Sequence, residues 1–174
     1  MADLLKPGKG GFLRPFGCGW FIRGFLNGNG PEGSPRIDPL RGAPQSDIFY
    51  YYKMKLIEAT ARDRAVRLEE KRARQEDRPI DPDEIEELTG QYMLRLPYKS
   101  KGCRYHSFVV YFSNLKRLGW VEPSGYQEPS AFQGNYPPGP PRIYYRLTEA
   151  GRVASDTAWA NPQAALYGYS KASI

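Results

Sequence analysis

The stretch that decides the fold is PRIYYRLTEAGR, residues 141–152. The side chains of residues 142–147 alternate, which predicts a strand with Ile143, Tyr145 and Leu147 on one side and Tyr144 and Arg146 on the other. Thr148 is a good N-cap, so a helix is predicted over residues 149–160, just before a proline. The stretch therefore predicts a strand that leads directly into a short helix.

A second stretch, LKRLGWVE at residues 115–122, predicts where a helix ends and the partner strand begins. Gly119 is the expected C-terminal stop of a helix over residues 104–118, and the strand starts at Trp120. The 20 residues from 122 to 141 contain three Gly and six Pro, which predicts a long loop between the two strands.

The helix over residues 104–118 has two distinct faces at about 100° per residue. Three- and four-residue spacing predicts a core face made of Phe108, Phe112, Leu115 and Leu118. The opposite face carries His106, Val110, Ser113 and Arg117, flanked by Ser107, Val109, Asn114 and Lys116. The outward face is therefore mixed polar and basic, without a carboxylate.

Two further helices are predicted upstream. The first runs from residue 46 to about 78 with Ser46 as N-cap, and its charged second half is interpreted as a solvated extension or a dimeric coiled coil. The second begins at Asp81, with Pro82 in its first position. Its buried face is expected to hold Ile85, Leu88 and either Tyr92 or Met93. Residues 95–102 are expected to form the turn that follows.

Three helices, a two-stranded hairpin and a further helix are the element order of a winged helix-turn-helix. The runs YYRLTEAGR and LKRLGWVE resemble those of PadR-like winged-helix regulators, over residues 81–157. The resemblance implies a mainly α fold with a small β hairpin (α+β), in which helix 104–118 enters the major groove of double-stranded DNA. It also implies a transcriptional regulator. The resemblance does not decide whether the protein forms a homodimer or joins a larger protein assembly, because few residues remain after the predicted second strand for a C-terminal dimerisation region.

Charge favours DNA binding independently of this resemblance. The chain has 25 Lys+Arg against 19 Asp+Glu, a net charge of +6. From residue 88 to 121 there are six cations and no acid, as phosphate neutralisation requires. Phosphate contacts are expected from Lys99, Lys101, Arg104 and Lys116, base contacts from His106, Ser107, Val110, Ser113 and Arg117, and wing contacts from Arg142 and Arg146.

An acidic cluster on the second helix works against DNA binding. Its members are Asp81, Asp83, Glu84, Glu86 and Glu87. DNA would repel them, so either this end of the helix points away from the duplex or duplex binding is weaker than the third helix indicates. The alternative function is a non-catalytic protein-interaction or structural subunit of a larger assembly, and RNA is a further ligand that fits the basic span.

Residues 1–45 form an arm that holds ten of the 18 Gly and six of the 16 Pro, which predicts no regular helix. The arm is nevertheless too apolar for a solvated linker. Either it packs irregularly on its own domain, residues 46–160, or it docks on a partner through Phe12, Phe16, Trp20, Phe21 and Phe25. A small polar tail, residues 161–174, completes the chain.

The composition argues against catalysis and metal binding. One His and two Cys without CxxC spacing are too few for a zinc site of nitrogen and sulfur ligands. No glycine run ends in the Lys-Ser/Thr of a phosphate-binding loop. The most apolar early segment, residues 20–26, is too short to span a bilayer. We therefore expect no enzyme activity, metal, cofactor or membrane partner, and a location in the cytoplasm.

Overall fold

The computed structural model describes residues 17–30, 32–95, 105–128 and 141–167. Within these ranges the protein is mainly helical with one small antiparallel sheet, which confirms the α+β class. The helices are α1 (Gly17–Leu26), α2 (Gln45–Gln75), α3 (Pro82–Arg95), α4 (Tyr105–Arg117), α5 (Glu149–Val153), α6 (Asp156–Ala160) and α7 (Pro162–Tyr167). The strands are β1 (Ala43–Pro44), β2 (Val121–Pro123) and β3 (Tyr144–Leu147).

The sheet has the order β1-β3-β2, with all pairs antiparallel. The predicted hairpin is confirmed: Val121 lies opposite Leu147, and Tyr145 and Leu147 are buried. The strand was expected to begin at Arg142, with Ile143 on the same side as Tyr145 and Leu147, but β3 begins at Tyr144 and Ile143 is 56% exposed. β1 was not predicted, because a strand of two residues carries no alternation.

The main core lies between α1, the first half of α2, α4 and the sheet. Its aromatic rings meet across the elements. The ring of Phe21 contacts that of Tyr52 at 5.5 Å between centroids, and Phe112 contacts Tyr145 at 5.2 Å. Trp159 of α6 is fully buried beside them, and its Nε1 donates to the carbonyl of Gly151 at 2.9 Å.

α1 corrects the prediction that residues 1–45 hold no regular helix. Phe21, Ile22, Phe25 and Leu26 fall on one side of a helical turn, and all four are buried. Gly19 permits close packing, since a Cβ there would lie 2.3 Å from the carbonyl oxygen of Trp159. Burial of this apolar face outweighs the low helix propensity of the glycines.

α2 and α3 form a helical hairpin. The second half of α2 was expected to be solvated, but α3 packs on it: Ala65, Glu69 and Ala73 are buried, and Arg72 pairs with Glu84. Nearer the middle of α2, Ile57 and Ala61 form a small cluster with Met54, Tyr92 and Met93. The start of α3 at Pro82 is confirmed. Ser46 does not cap α2, because the helix begins one residue earlier and its N-cap position is Pro44, which makes no side-chain cap.

The helices that surround the sheet are therefore α1, α2 and α4 rather than three consecutive ones. α3 has its main contacts with α2 and lies outside the main core. The chain after β3 also differs from prediction. Thr148 caps α5 as expected, accepting from the Gly151 N–H at 3.0 Å, but Ser155 caps a separate α6. α7 lies in the predicted tail and packs on α4.

Candidate nucleic-acid interface

The outward face of α4 lies where the helical periodicity predicted it. Phe108, Phe112 and Leu115 are fully buried, and Gly119 ends the helix region with a φ of +73°. On the other side His106, Val110, Lys116 and Arg117 are exposed, while Ser107 and Ser113 are half-buried. Val110 is 51% exposed, so this face presents one apolar side chain among polar and basic ones.

The two cations of α4 contact aromatic rings rather than acids. The Lys116 Nζ lies 5.4 Å from the ring centroid of Tyr145. The Arg117 guanidinium lies 5.9 Å from the ring of Tyr167 in α7, and its Nη1 is 3.5 Å from the hydroxyl of that tyrosine. Among the described residues, no carboxylate lies within ion-pair distance of either cation. Within the described chain, both charges are therefore without an acidic partner.

The wing residue Arg142 is in a different environment. Its Nη1 donates to Asp47 at the start of α2 at 2.7 Å, and its Nε donates to Glu128 at 2.9 Å. The hydroxyl of Tyr144 donates to the same Glu128 oxygen at 2.8 Å. Hydrogen bonds from Arg142 hold the pKa of Glu128 below its ordinary value, and burial together with this carboxylate raises the pKa of Tyr144 to about 12.

Ion pairs therefore compensate the wing arginines within the chain. Arg146 pairs with Glu122 at 3.1 Å, so two arginines face three carboxylates at this end of the sheet. Phosphate contacts by Arg142 and Arg146 would require these ion pairs to break. Sequence reasoning missed Arg41, an exposed cation beside the wing whose guanidinium lies 5.2 Å from the ring of Tyr126.

Two members of the acidic cluster of α3 pair with arginines of α2. Glu84 pairs with Arg72 at 3.3 Å and Glu86 with Arg62 at 2.6 Å, and the pKa of Glu86 is lowered by its hydrogen bond from that arginine. α4 contacts α2 through Tyr52, 20 residues before Arg72. At 1.5 Å per residue the separation is about 30 Å. Glu84 is thus remote from the contact of α2 with α4, whereas Arg62, the partner of Glu86, lies 10 residues after Tyr52, about 15 Å along α2.

Several predicted contact residues lie outside the described residues: Phe12, Phe16, Lys99, Lys101 and Arg104. Of the remaining arm residues, Phe21 and Phe25 are 4% and 1% exposed and belong to the core. Their burial corrects the expectation of a docking surface at these two positions, because the rings already pack on α2. Trp20 is half-buried, with the Arg23 guanidinium 4.4 Å from its ring centroid.

Comparison with protein-family models, curated proteins and solved structures gives no match to this chain. The resemblance to PadR-like regulators therefore stays a prediction. In the part of the chain that the structure describes, no helix has the length and apolar character to cross a membrane, and no group of three or more His, Cys, Asp or Glu side chains is placed to hold a metal ion.

Proposed function

We propose that the protein is a winged-helix DNA-binding protein, acting as a transcriptional regulator, and that α4 enters the major groove. The observation that carries the proposal is the outward face of α4, which is exposed and basic and has no carboxylate partner among the residues that the structure describes. An α-helix fits the major groove of B-DNA, where His106 and Arg117 would meet base edges and Val110 a thymine methyl.

The fold supports this use of α4 in a modified form. α2 and α4 contact each other in the main core, and the hairpin of β2 and β3 follows α4 directly. α2 and α4 would thus be the paired helices of the winged helix, with α3 inserted between them. This assignment replaces the consecutive α2-α3-α4 set that the sequence predicted.

Phosphate neutralisation would fall mainly to α4 in this arrangement. No described carboxylate pairs with Lys116 or Arg117, whereas the wing arginines pair with Asp47, Glu122 and Glu128. A wing contact is therefore expected to follow only after the α4 contacts are made, when phosphates compete for Arg142. The exposed Arg41 beside the wing can join without breaking an ion pair that the described residues show.

The experiment is a titration of a labelled duplex of mixed sequence, followed by fluorescence anisotropy at several salt concentrations. Each phosphate contact adds about 0.9 to the slope of log affinity against log salt. Replacing Lys116→Gln together with Arg117→Gln is expected to reduce that slope by about 1.8. The matched control is Arg36→Gln with Arg152→Gln, which removes the same charge from exposed positions outside α4.

The control is expected to keep most of the wild-type slope. If the α4 variant and the control lose the same amount, binding depends on net charge and not on α4. Absence of duplex binding by the wild-type protein at low salt contradicts the proposal as a whole. Circular dichroism of each variant verifies that the substitutions leave the helices intact.

A further inference from the structure

Four cations lie on one exposed face of the second half of α2. They are Arg64, Arg67, Lys71 and Arg74, and we refer to them as the α2 basic stripe. Their spacing of three, four and three residues places them on one side of a helix, over about 15 Å of its length. All four are exposed, and the side chain of Arg67 is 78% exposed.

The hairpin sorts the seven cations of residues 62–78 into two groups. Arg62, Arg72 and Arg78 face α3 or its connection and pair with Glu86, Glu84 and Glu69 respectively. The α2 basic stripe lies on the opposite side of the helix. Among the described residues, neither Arg64 nor Lys71 has a carboxylate within ion-pair distance, and Arg74 bonds only the Glu70 carbonyl.

Arg67 is the one member of the stripe with an acidic partner, Asp63, at 3.2 Å on the same helix. Pairs this exposed contribute little to stability. The fold therefore does not need the charges of the stripe, and like charges three or four residues apart disfavour the helix slightly. α3 packs on the other side of this part of α2, where Ala65 and Ala73 are buried. The stripe is thus available to a partner of opposite charge.

The register of α2 shows which side of the molecule the stripe occupies. Arg67 lies 18 residues after Phe49, which is five full helical turns, so the two side chains point the same way. The ring of Phe49 contacts Tyr105 and Phe108 of α4, at 5.1 and 5.3 Å between centroids. The stripe therefore continues, about 27 Å further along α2, the side on which α4 packs.

We propose that the α2 basic stripe is a second phosphate-binding surface, which contacts the backbone of the same duplex that α4 reads. This inference rests on the proposed function of α4. A ligand that reaches both places must carry negative charge over at least 27 Å, the length of about eight base pairs at 3.4 Å each. Duplex DNA meets this requirement along its whole backbone. With the stripe in contact, the protein would cover a longer stretch of the duplex than α4 covers alone.

The test compares two duplexes. One is too short to touch both surfaces at once, and the other is long enough to do so. A hairpin-capped duplex of about 5 base pairs, about 17 Å long, reaches one surface at a time, whereas one of about 24 base pairs reaches both. The variant Arg64→Gln with Lys71→Gln is expected to lower affinity for the long duplex about tenfold or more at 0.1 M salt, and to reduce its salt slope by about 1.8. Arg36→Gln with Arg152→Gln is again the charge-matched control.

The proposal is supported if the stripe variant loses affinity for the long duplex and keeps its affinity for the short one. If the stripe variant binds both lengths like the wild type while Lys116→Gln with Arg117→Gln weakens both, the inference fails and the proposed function stands. If the wild type binds neither duplex, the proposed function fails and the inference with it. Binding of polyglutamate instead of duplex, lost in the stripe variant, would show a protein-docking surface and overturn the inference.

Discussion

Glu69 is a fully buried carboxylate in the α2–α3 hairpin. It accepts two hydrogen bonds from the Arg78 guanidinium, at 2.8 and 2.9 Å, and one from the backbone N–H of Asp81 at 2.8 Å. These donors favour the charged form, the arginine first, and lower the pKa of Glu69 from 4.5 to about 2. One side chain thus joins the end of α2 to the start of α3.

The substitution Glu69→Gln is expected to lower the thermal unfolding midpoint by about 5 °C at neutral pH, because it removes the buried one of the two carboxylates that pair with Arg78 and leaves only the exposed Glu76. A carboxyl with a lowered folded-state pKa stabilises the protein above its unfolded pKa, and that contribution is lost as the pH falls from 4.5 to 2. The wild type should therefore lose more stability over this interval than the variant.

Thermal unfolding followed by circular dichroism at pH 7, 4.5 and 2.5 measures the difference. Glu70→Gln is the matched control, because it removes the neighbouring carboxylate, for which the described residues show no ion pair. A wild type and a Glu69 variant with parallel pH profiles would disprove the role of this carboxylate.

At the scale of elements, β1 depends on one glycine. Gly42 has a φ of +70°, and a Cβ there would lie 1.8 Å from the carbonyl oxygen of Tyr145 in β3. Gly125 in the wing has a similar φ of +80° but nothing within 4 Å of the Cβ position. The two glycines thus differ in crowding and not in backbone conformation.

The substitution Gly125→Ala is expected to cost about 1 kcal/mol, from the left-handed backbone alone. Gly42→Ala is expected to cost at least about 3 kcal/mol, because the added methyl also forces β1 away from β3. Urea denaturation of both variants measures the two free energies of unfolding. Equal losses would mean that the pairing of β1 with β3 contributes nothing.

The sequence predicted the ends of helices best where a hydrophobic pattern coincided with a local capping or stop residue. The start of α3 at Pro82, the end of α4 before Gly119 and the cap at Thr148 are local features, and all three are confirmed. α1 was missed because its helix depends on contacts with α2 and α6, which no local pattern shows. β1 was missed because its partner β3 lies about 100 residues away in the chain.

At the scale of the whole molecule, the N-terminal helix is part of the core and not an appendage. The substitution Phe25→Ala is expected to cost about 3 to 5 kcal/mol, because the ring is 1% exposed and packs on Tyr51. Leu40→Ala is the control, at a side chain that is 69% exposed, with an expected change within about 0.5 kcal/mol.

Urea denaturation gives both free energies. Hydrogen exchange of the α4 amides then tests whether the loss of stability in the Phe25→Ala variant extends to α4. If the core is a single cooperative unit, the protection of these amides should fall as well. Unchanged protection of α4 in the Phe25 variant would place α1 outside that unit.

The sequence was sufficient to predict which face of α4 is exposed at the candidate site. It was not sufficient to predict which cations pair with acids. Periodicity alone identified the exposed face of α4, since burial of Phe108 and Phe112 determines what points outward. Counting charges along the sequence did not distinguish paired from unpaired cations. Arg142 meets Asp47 from 95 residues away, whereas Arg64 and Lys71, which looked like part of a mixed charged helix, have no acidic partner in the described chain.

The α2–α3 hairpin also bears on how the chain folds. Phe49 and Phe108 are 59 residues apart in the sequence, yet their rings meet in the core. Closing so long a loop is entropically costly in a disordered chain. The hairpin brings the two ends of this segment together through contacts that are mostly local, so its early formation would shorten the search for the α2–α4 contact and speed the assembly of the core.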